Sequence, residues 1–458
     1  MWFVAPALVM SLAATQPATA GADHPELRAM AAKVKAAELK ATIEKLVGFG
    51  TRHTLSDTTS STRGIGAARR WVKSQFEADS AACGGCLEII TPEETVTGAR
   101  IPAPAVIQNV MAVQRGTSDP DRVIIIAGHI DSRVSDPLNA TSDAPGANDD
   151  GSGTAAVIEA ARVLSHYKFP ATIVYAVLSG EEQGLYGGKL LAKVAREKGW
   201  RVEADLNNDI IGNTHGLGGE VESGYVRVFF EGTKAVETPA EANRRRYNGG
   251  EVDSPSRNID RYMAELADRY LTPFRVRMVY RTDRFGRGGD QTPLLEAGYP
   301  AVRVTEAAEN YNRQHQDLRT EKSVRYGDVP DGVDFNYLAQ ITRLNVISLA
   351  SLALAPAPPT GVKIDGAVSA DTTVSWNAVP GAARYRVWWR DTTAPRWEHM
   401  RRAGSALSLK LDKVVIDDWF FGVQSVSTDG YASPVVFPGP AGDFISAPPA
   451  SPAPAPSK

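Results

Sequence analysis

Five short stretches put histidines and carboxylates where a divalent metal could be held. They are AGHIDS with His129 and Asp131, PGANDDGSG with Asp149 and Asp150, SGEEQG with Glu181 and Glu182, NNDIIG with Asp209, and NRQHQD with His315. Two residues apart on a strand, His129 and Asp131 share a face. The carboxylate can then bond the imidazole, fix its tautomer and strengthen it as a ligand. Glu181 and Glu182 stand side by side where the apolar run TIVYAVLS stops. Neighbours on an extended chain point to opposite sides, which suits two carboxylates with two different tasks. Each piece alone has a plain structural explanation. A lone histidine is more often structural than a ligand, and the chain has 7. Asp-Asp-Gly-Ser reads as a turn with a helix cap, and paired glutamates commonly lie on a solvated face. Together, two histidines and three carboxylates make a donor set suited to borderline-soft divalent metals, zinc first.

Such residues meet only if the fold brings them to one place. From about 105 to 350, strand-type runs (RVIIIAG, ATIVYAVLSG, VEADLNNDIIG, YVRVFFEG, RVRMVYR, AVRVTEA) alternate with helical patterns (SGTAAVIEAARVLSHY, GKLLAKVAREKG, DRYMAELADRYL). The alternation predicts an α/β domain, a mostly parallel mixed sheet flanked by helices. Such sheets gather sites beyond the carboxyl ends of their strands. Upstream, residues 25–48 are rich in Ala, Lys, Glu and Leu and predict one helix. The α/β part is expected over 21–354, followed by a Pro-rich linker at 355–360. Short β-type runs over 361–440 (TTVSWNAV, RYRVWWR, LSLKL, WFFGVQSVS) predict an all-β sandwich, and 441–458 form a Pro-rich tail.

A net charge of −3 on 458 residues gives no reason to expect a nucleic-acid partner. No internal run reads as a membrane span. Residues 1–20 carry an apolar stretch ending in Ala18-Thr19-Ala20, the small-x-small pattern of a signal peptide cleaved before Gly21. A secreted or periplasmic location is the expectation. In an exported chain the only two cysteines, Cys83 and Cys86 of CGGC, are expected to form a local disulfide.

The order HxD, PGxNDDGSG, GEEQGL, a later Asp and a final His resembles the secreted co-catalytic di-zinc aminopeptidases. These are bacterial leucyl aminopeptidase-like enzymes related to glutamate carboxypeptidases, transferrin-receptor-like domains and glutaminyl cyclases. The resemblance implies the zinc exopeptidase fold and two Zn2+ ions. Asp149 would bridge them, His129 and Asp209 would complete the first, and Glu182 and His315 the second. It also implies Asp131 behind His129, a cis peptide between Asp149 and Asp150, and Glu181 as general base toward a water held between the metals. The implied substrates are peptides with a free N-terminus, whose α-amine Glu181 and Asp209 could help to hold. Where the family has a Ser-Asp-His run this chain reads Gly289-Asp290-Gln291, so Asp290 is expected to be structural. The family's tyrosine close to the last histidine is also missing, since Gln314 precedes His315 and Tyr311 lies further back. Residues 361–440 resemble a fibronectin type III domain, with Trp376 and Tyr385 in its core and Trp419 in place of its corner tyrosine. Exposure of Trp388, Trp389 or Trp397 would favour a polymeric ligand. A glutaminyl cyclase or a carboxypeptidase on the same fold is the alternative. A non-catalytic receptor-like protein fits less well, because all five ligand positions are kept.

Overall fold

The computed structural model describes residues 23–444. The expected signal peptide, and the expected tail from residue 445 onward, lie outside the described residues. An eight-stranded mixed sheet organises the larger part. Its strands are β1 (Glu88–Ile90), β2 (Val110–Gln114), β3 (Asp119–His129), β4 (Ala171–Leu178), β5 (Arg201–Asn208), β6 (Tyr225–Phe230), β7 (Arg275–Val279) and β8 (Ala301–Thr305). The spatial order is β1-β2-β4-β3-β5-β8-β6-β7. The central run β4-β3-β5-β8 is parallel. The flanks β2 and β6 join it antiparallel.

All eight residues of β4 are buried, as expected for a strand covered on both faces, where apolar residues run on without alternation. Side chains still sort by twos. Ile173, Tyr175 and Val177 face a core shared with the helices Gly151–Leu164 and Phe335–Leu354. Val174, Ala176 and Leu178 face a second core with Leu191 and Leu294, from the helices Tyr186–Glu197 and Gln291–Glu296. The chain runs from β3 to β4 on one side of β3 and returns to β5 on the other. This reversal opens a crevice at the carboxyl ends of these strands. Gly153, in the first turn of the helix Gly151–Leu164, lets that helix approach closely. A Cβ there would stand 2.3 Å from the Asn208 carbonyl oxygen and 2.3 Å from the Asp150 carboxylate.

Two expectations need correction, and the tryptophan exposure that would favour a polymeric ligand is not found. Residues 25–48 form two helices, Pro25–Ala31 and Ala36–Val47. Between them Lys35 is extended, and its N–H donates to the Glu159 carboxylate at 2.8 Å, so a tertiary bond replaces a helical one. The helix Phe335–Leu354 has a mean hydropathy of 1.2 over its best window, long and apolar enough to cross a membrane. Here 83% of that window is buried inside the molecule. The tryptophans of the β part are not exposed. Trp388 is buried and donates to Gln424. Trp389 stacks on His399, and Trp397 donates to Asn258 of the α/β part.

Residues 363–426 form two three-stranded antiparallel sheets, with single bridges from Val423 to Val436 and from Val426 to Ala432. Val374, Trp376, Tyr385, Val387, Leu411, Phe421 and Val423 are buried between them. This part is docked on the helix Pro255–Tyr270 through buried ions. Arg390 grips Asp253 with bonds of 2.9 and 2.8 Å, and Arg261 reaches the same carboxylate at 2.7 Å. Arg257 pairs with Asp260 at 2.9 Å.

Candidate active site

The sheet delivers the expected residues to one rim. His129 ends β3, Glu181 and Glu182 follow β4, Asp209 follows β5, and His315 lies in the loop beyond β8. Asp149 and Asp150 precede the helix Gly151–Leu164 and are joined by a cis peptide bond. The two aspartates divide the labour. Asp150 is the helix cap, accepting from Gly153 N–H at 2.8 Å, and its other oxygen accepts from His129 N–H at 3.0 Å. Asp149 turns its carboxylate into the crevice. Its Oδ1 lies 3.3 Å from His129 Nε2 and its Oδ2 3.0 Å from His315 Nε2. One carboxylate thus faces two imidazoles, one with each oxygen.

Ligand-type atoms of His129, Glu181 and Asp209 lie within 4.8 Å of one another, as do those of Asp149, Glu182 and His315. The donors also fit a metal by their hydrogen bonding. His129 Nδ1 stands 3.0 Å from the carbonyl oxygen of Asp131. A carbonyl only accepts, so Nδ1 donates, and Nε2 is the nitrogen turned toward Asp149. Carboxylate oxygens converging on that nitrogen call for a cation or a proton between them. The same demand governs the ring's proton affinity. Burial works against a charged ring, yet Asp131, Asp149, Asp150 and Glu181 outweigh it and hold His129 well above its ordinary value. Glu182 is buried, and its Oε1 lies 2.9 Å from His315 Nε2 without an aligned hydrogen bond. The carboxyl group of Glu181 is held by no hydrogen bond or ion pair among the described residues and is partly exposed. Its pKa is pushed well above the carboxylate range by burial and by Asp209, Glu182 and Asp290, with His129 opposing.

Two expectations change in detail. The strand ends at His129, so Asp131 does not share its face. The ring bonds the Asp131 carbonyl, and the Asp131 carboxylate stands 3.7 Å from Nδ1. That carboxylate instead accepts from the N–H groups of Gly180, Glu181 and Glu182, at 2.8, 3.3 and 3.1 Å. It therefore fixes the turn that carries both glutamates. Those glutamates are not on an extended strand end either. Gly184 and Leu185 N–H both donate to the Glu181 carbonyl, closing a turn that sends Glu181 and Glu182 to different groups of ligands. Asp290 is buried and accepts from Gly188 N–H at 3.0 Å, the structural use expected of it. Tyr311 is 52% exposed. Cys83 and Cys86 are joined in a disulfide.

Several supporting residues carry no sequence signal of their own. Fully buried Arg52 donates to the carbonyls of Ile130, Pro145 and Gly146, tying the His129 and Asp149 loops together. Asp328 accepts from the N–H of Asn148 and of Asp149 at 2.9 and 2.7 Å. Burial pushes it up to about 7. Arg303 takes Asp209 Oδ2 at 2.6 Å and Arg133 takes Glu182 Oε2 at 2.8 Å, leaving each ligand one oxygen. Ile210, next to Asp209, has φ 60°. That is an unfavourable conformation for a β-branched residue, held by bonds from its N–H to Asp150 and to its carbonyl from Glu306 N–H and Thr305.

Residues 109–327 match peptidase family M28. A probable zinc metalloprotease of Pyrenophora tritici-repentis is 45% identical over 424 residues, covering 91% of this chain and 87% of that one. Another from Leptosphaeria maculans is 44% identical over 425 residues, covering 92% and 98%. Among solved structures, the LapA aminopeptidase of Legionella pneumophila has a TM-score of 0.51 at 20% identity, over 77% of this chain and 80% of its own. LapB of the same organism has a TM-score of 0.52 at 20% identity, over 72% and 75%. At that identity the likeness is one of fold.

Proposed function

The chain belongs to peptidase family M28, a zinc metallopeptidase, and from that premise we propose that it is an exported aminopeptidase with two zinc ions. The placement of Asp149, one oxygen toward each of two imidazoles, supports the paired centre most directly. His129 and Asp209 would hold one ion with Asp149 Oδ1, and Glu182 and His315 the other with Asp149 Oδ2. When bound, such ions polarise the scissile carbonyl and make water acidic enough to react near neutral pH.

The chain's own residues supply the rest. Among the described residues no hydrogen bond or ion pair holds the Glu181 carboxyl group. It is suited to take a proton from the attacking water and pass it to the leaving amine. Asp131 aims Glu181 through the turn it anchors, and Asp328 and Arg52 hold the loop of Asp149. Glu181 and Asp209 also present negative charge where a free α-amine would sit. Residues 361–440 would be a fibronectin type III-like stabilising module. The export pattern of residues 1–20 and the disulfide support a secreted or periplasmic location.

The test is metal content together with hydrolysis of an aminoacyl-anilide, its N-acetylated form and an N-terminal glutamine peptide. Two zinc ions per chain and cleavage of only the free-amine anilide are expected. Equal cleavage of the acetylated form would remove the aminopeptidase reading, and cyclisation without amide hydrolysis would replace it with a cyclase.

A further inference from the structure

We propose that Arg284 binds a carboxylate of the substrate and makes the enzyme prefer peptides that carry one close to the scissile bond. The proposal rests on the aminopeptidase reading just given and deepens it. Arg284 stands beside the centre, with its Nη2 4.0 Å from Asp209 Oδ2. Its side chain is only 9% exposed, yet its Nη1 makes no hydrogen bond among the described residues. Leaving a buried donor unmatched is costly, so this one calls for an acceptor.

The acceptors nearby are already in use. Asp283 Oδ1 takes Arg284 Nε at 3.2 Å, and Asp283 Oδ2 takes Gln291 at 2.5 Å and Arg303 at 3.4 Å. Glu309 Oε1 takes Arg227 at 2.7 Å, and its Oε2 takes Arg287 at 3.0 Å and Gln314 at 3.3 Å. Arg284 Nη1 lies 3.5 Å from that last oxygen without an aligned hydrogen bond. Arg227, Arg284 and Arg287 therefore share only two carboxylates, those of Asp283 and Glu309. Asp209 does not redress the balance, because it gives its charge to Arg303 and a metal. Water would meet the missing hydrogen bond but not the surplus charge. An anion meets both.

The place of the surplus says what the anion belongs to. The cluster runs from Asp209, a ligand of one metal position, to Gln314, which bonds Arg287 and precedes His315 of the other. Its loop is at the surface, since Phe285 next to Arg284 is 85% exposed. A peptide with its scissile carbonyl at the centre lies against this cluster. Two sources bring a carboxylate there: an acidic side chain on the N-terminal residue, or the C-terminus of a dipeptide. A guanidinium suits either, because its fork of donors matches the two oxygens. Arg284 is then a specificity-determining residue, and Glu309 keeps Arg227 and Arg287 occupied beside it.

The test compares kcat/KM of zinc-loaded wild type and Arg284→Gln on two matched pairs: glutamyl- and glutaminyl-anilide, and leucyl-leucine and its C-terminal amide. Each pair differs by one charge and little in shape. Wild type should favour the acid of one pair by about tenfold or more, the scale of a hydrogen bond between charged groups. Preference for the glutamyl-anilide assigns the side chain, and preference for the free dipeptide assigns the C-terminus. Arg284→Gln should bring that ratio close to one, chiefly through KM. A purely structural loss would lower both members alike and keep the ratio. Zinc content of the variant reports that Asp209 still holds its metal; if Arg284→Gln does not fold, Arg284→Lys replaces it and the ratio should fall severalfold. Wild type without a preference for either acid, or a preference that survives the substitution, would overturn the role of Arg284 and leave the aminopeptidase reading intact. Cleavage of the N-acetylated anilides as fast as the free ones would instead remove the aminopeptidase reading, and the ratio within the acetylated pair would still decide on Arg284. No hydrolysis of any of them would overturn both.

Discussion

Buried aspartates and arginines meet in two regions of this molecule, to opposite effect. Where the β part docks, Arg390, Arg261 and Arg257 face Asp253 and Asp260. The surplus positive charge is dispersed within the protein. The carbonyl of Pro395 accepts from Arg257 and Arg261, those of Asp391, Thr392 and Ala394 accept from Arg390, and Trp397 lies against Arg261 and Arg390. At the strand ends the surplus is negative. Asp149, Glu181, Glu182 and Asp209 converge, with Arg133 on one oxygen of Glu182 and Arg303 on one oxygen of Asp209. Unlike the interface, the centre leaves carboxylate oxygens and imidazole nitrogens facing one another. A region that balances its own charge serves stability; one that leaves a defined deficit of positive charge is built for a cation.

The sharpest way to break that comparison is to remove the cation. Exhaustive chelation should abolish hydrolysis and leave the β part docked, and added zinc should restore activity. Full activity in excess chelator would mean that the deficit at the centre is not filled by metal. Next in size is Glu181→Gln. If Glu181 carries a proton and not a metal, turnover should fall by about 10²–10⁴-fold with metal content unchanged. Loss of one ion in that variant would show Glu181 to be a ligand with His129 and Asp209, as the grouping of the three also permits.

The centre was legible in the sequence because His129, Glu182, Asp209 and His315 end or follow buried apolar runs, whose ends a parallel sheet brings together, while Asp149 opens a helix. His129, Asp149, Glu182, Asp209 and His315 stand together as expected. Asp131 was legible as a partner but not in its use, because the strand stops at His129 and the following residues turn. Arg133 and Arg303 could not be found this way. An isolated arginine carries no pattern, and its partner is fixed only by the fold. The same holds for the interface, where Asp253 and Arg390 are 137 residues apart. The tryptophans of the β part were visible as aromatic residues, but which faced the α/β part was not.

Asp253→Ala tests the interface side. It strips both Arg390 and Arg261 of a buried carboxylate, and leaving one charge of a buried pair unmatched costs about 3–5 kcal/mol. Chemical denaturation should show that loss, with metal content and activity per folded molecule retained. A change under about 1 kcal/mol, the range of exposed pairs, would mean that the docked arginines are solvated in solution. The double change Asp253→Leu with Arg390→Met should lose less than Asp253→Ala, because it leaves fewer unmatched charges.

The smallest effect separates the two regions by pH. Burial pushes Asp260 from 3.8 up to about 7, although Arg257 and Arg261 pull the other way. An aspartate with a folded pKa above its unfolded one holds its proton more tightly in the native state. Its contribution to stability is full below about pH 4 and is lost as the pH climbs through about 7. Asp260→Asn removes that titration and leaves an amide oxygen to accept from Arg257. Between pH 5 and pH 8 wild type should therefore lose about 1–3 kcal/mol relative to the variant, read as diverging urea midpoints in the metal-free proteins. Parallel midpoints across that range would show that Asp260 stays ionised, with Arg257 alone meeting the cost of burying it. The interface would then be a fixed ion pair, in which burial does not favour the neutral acid.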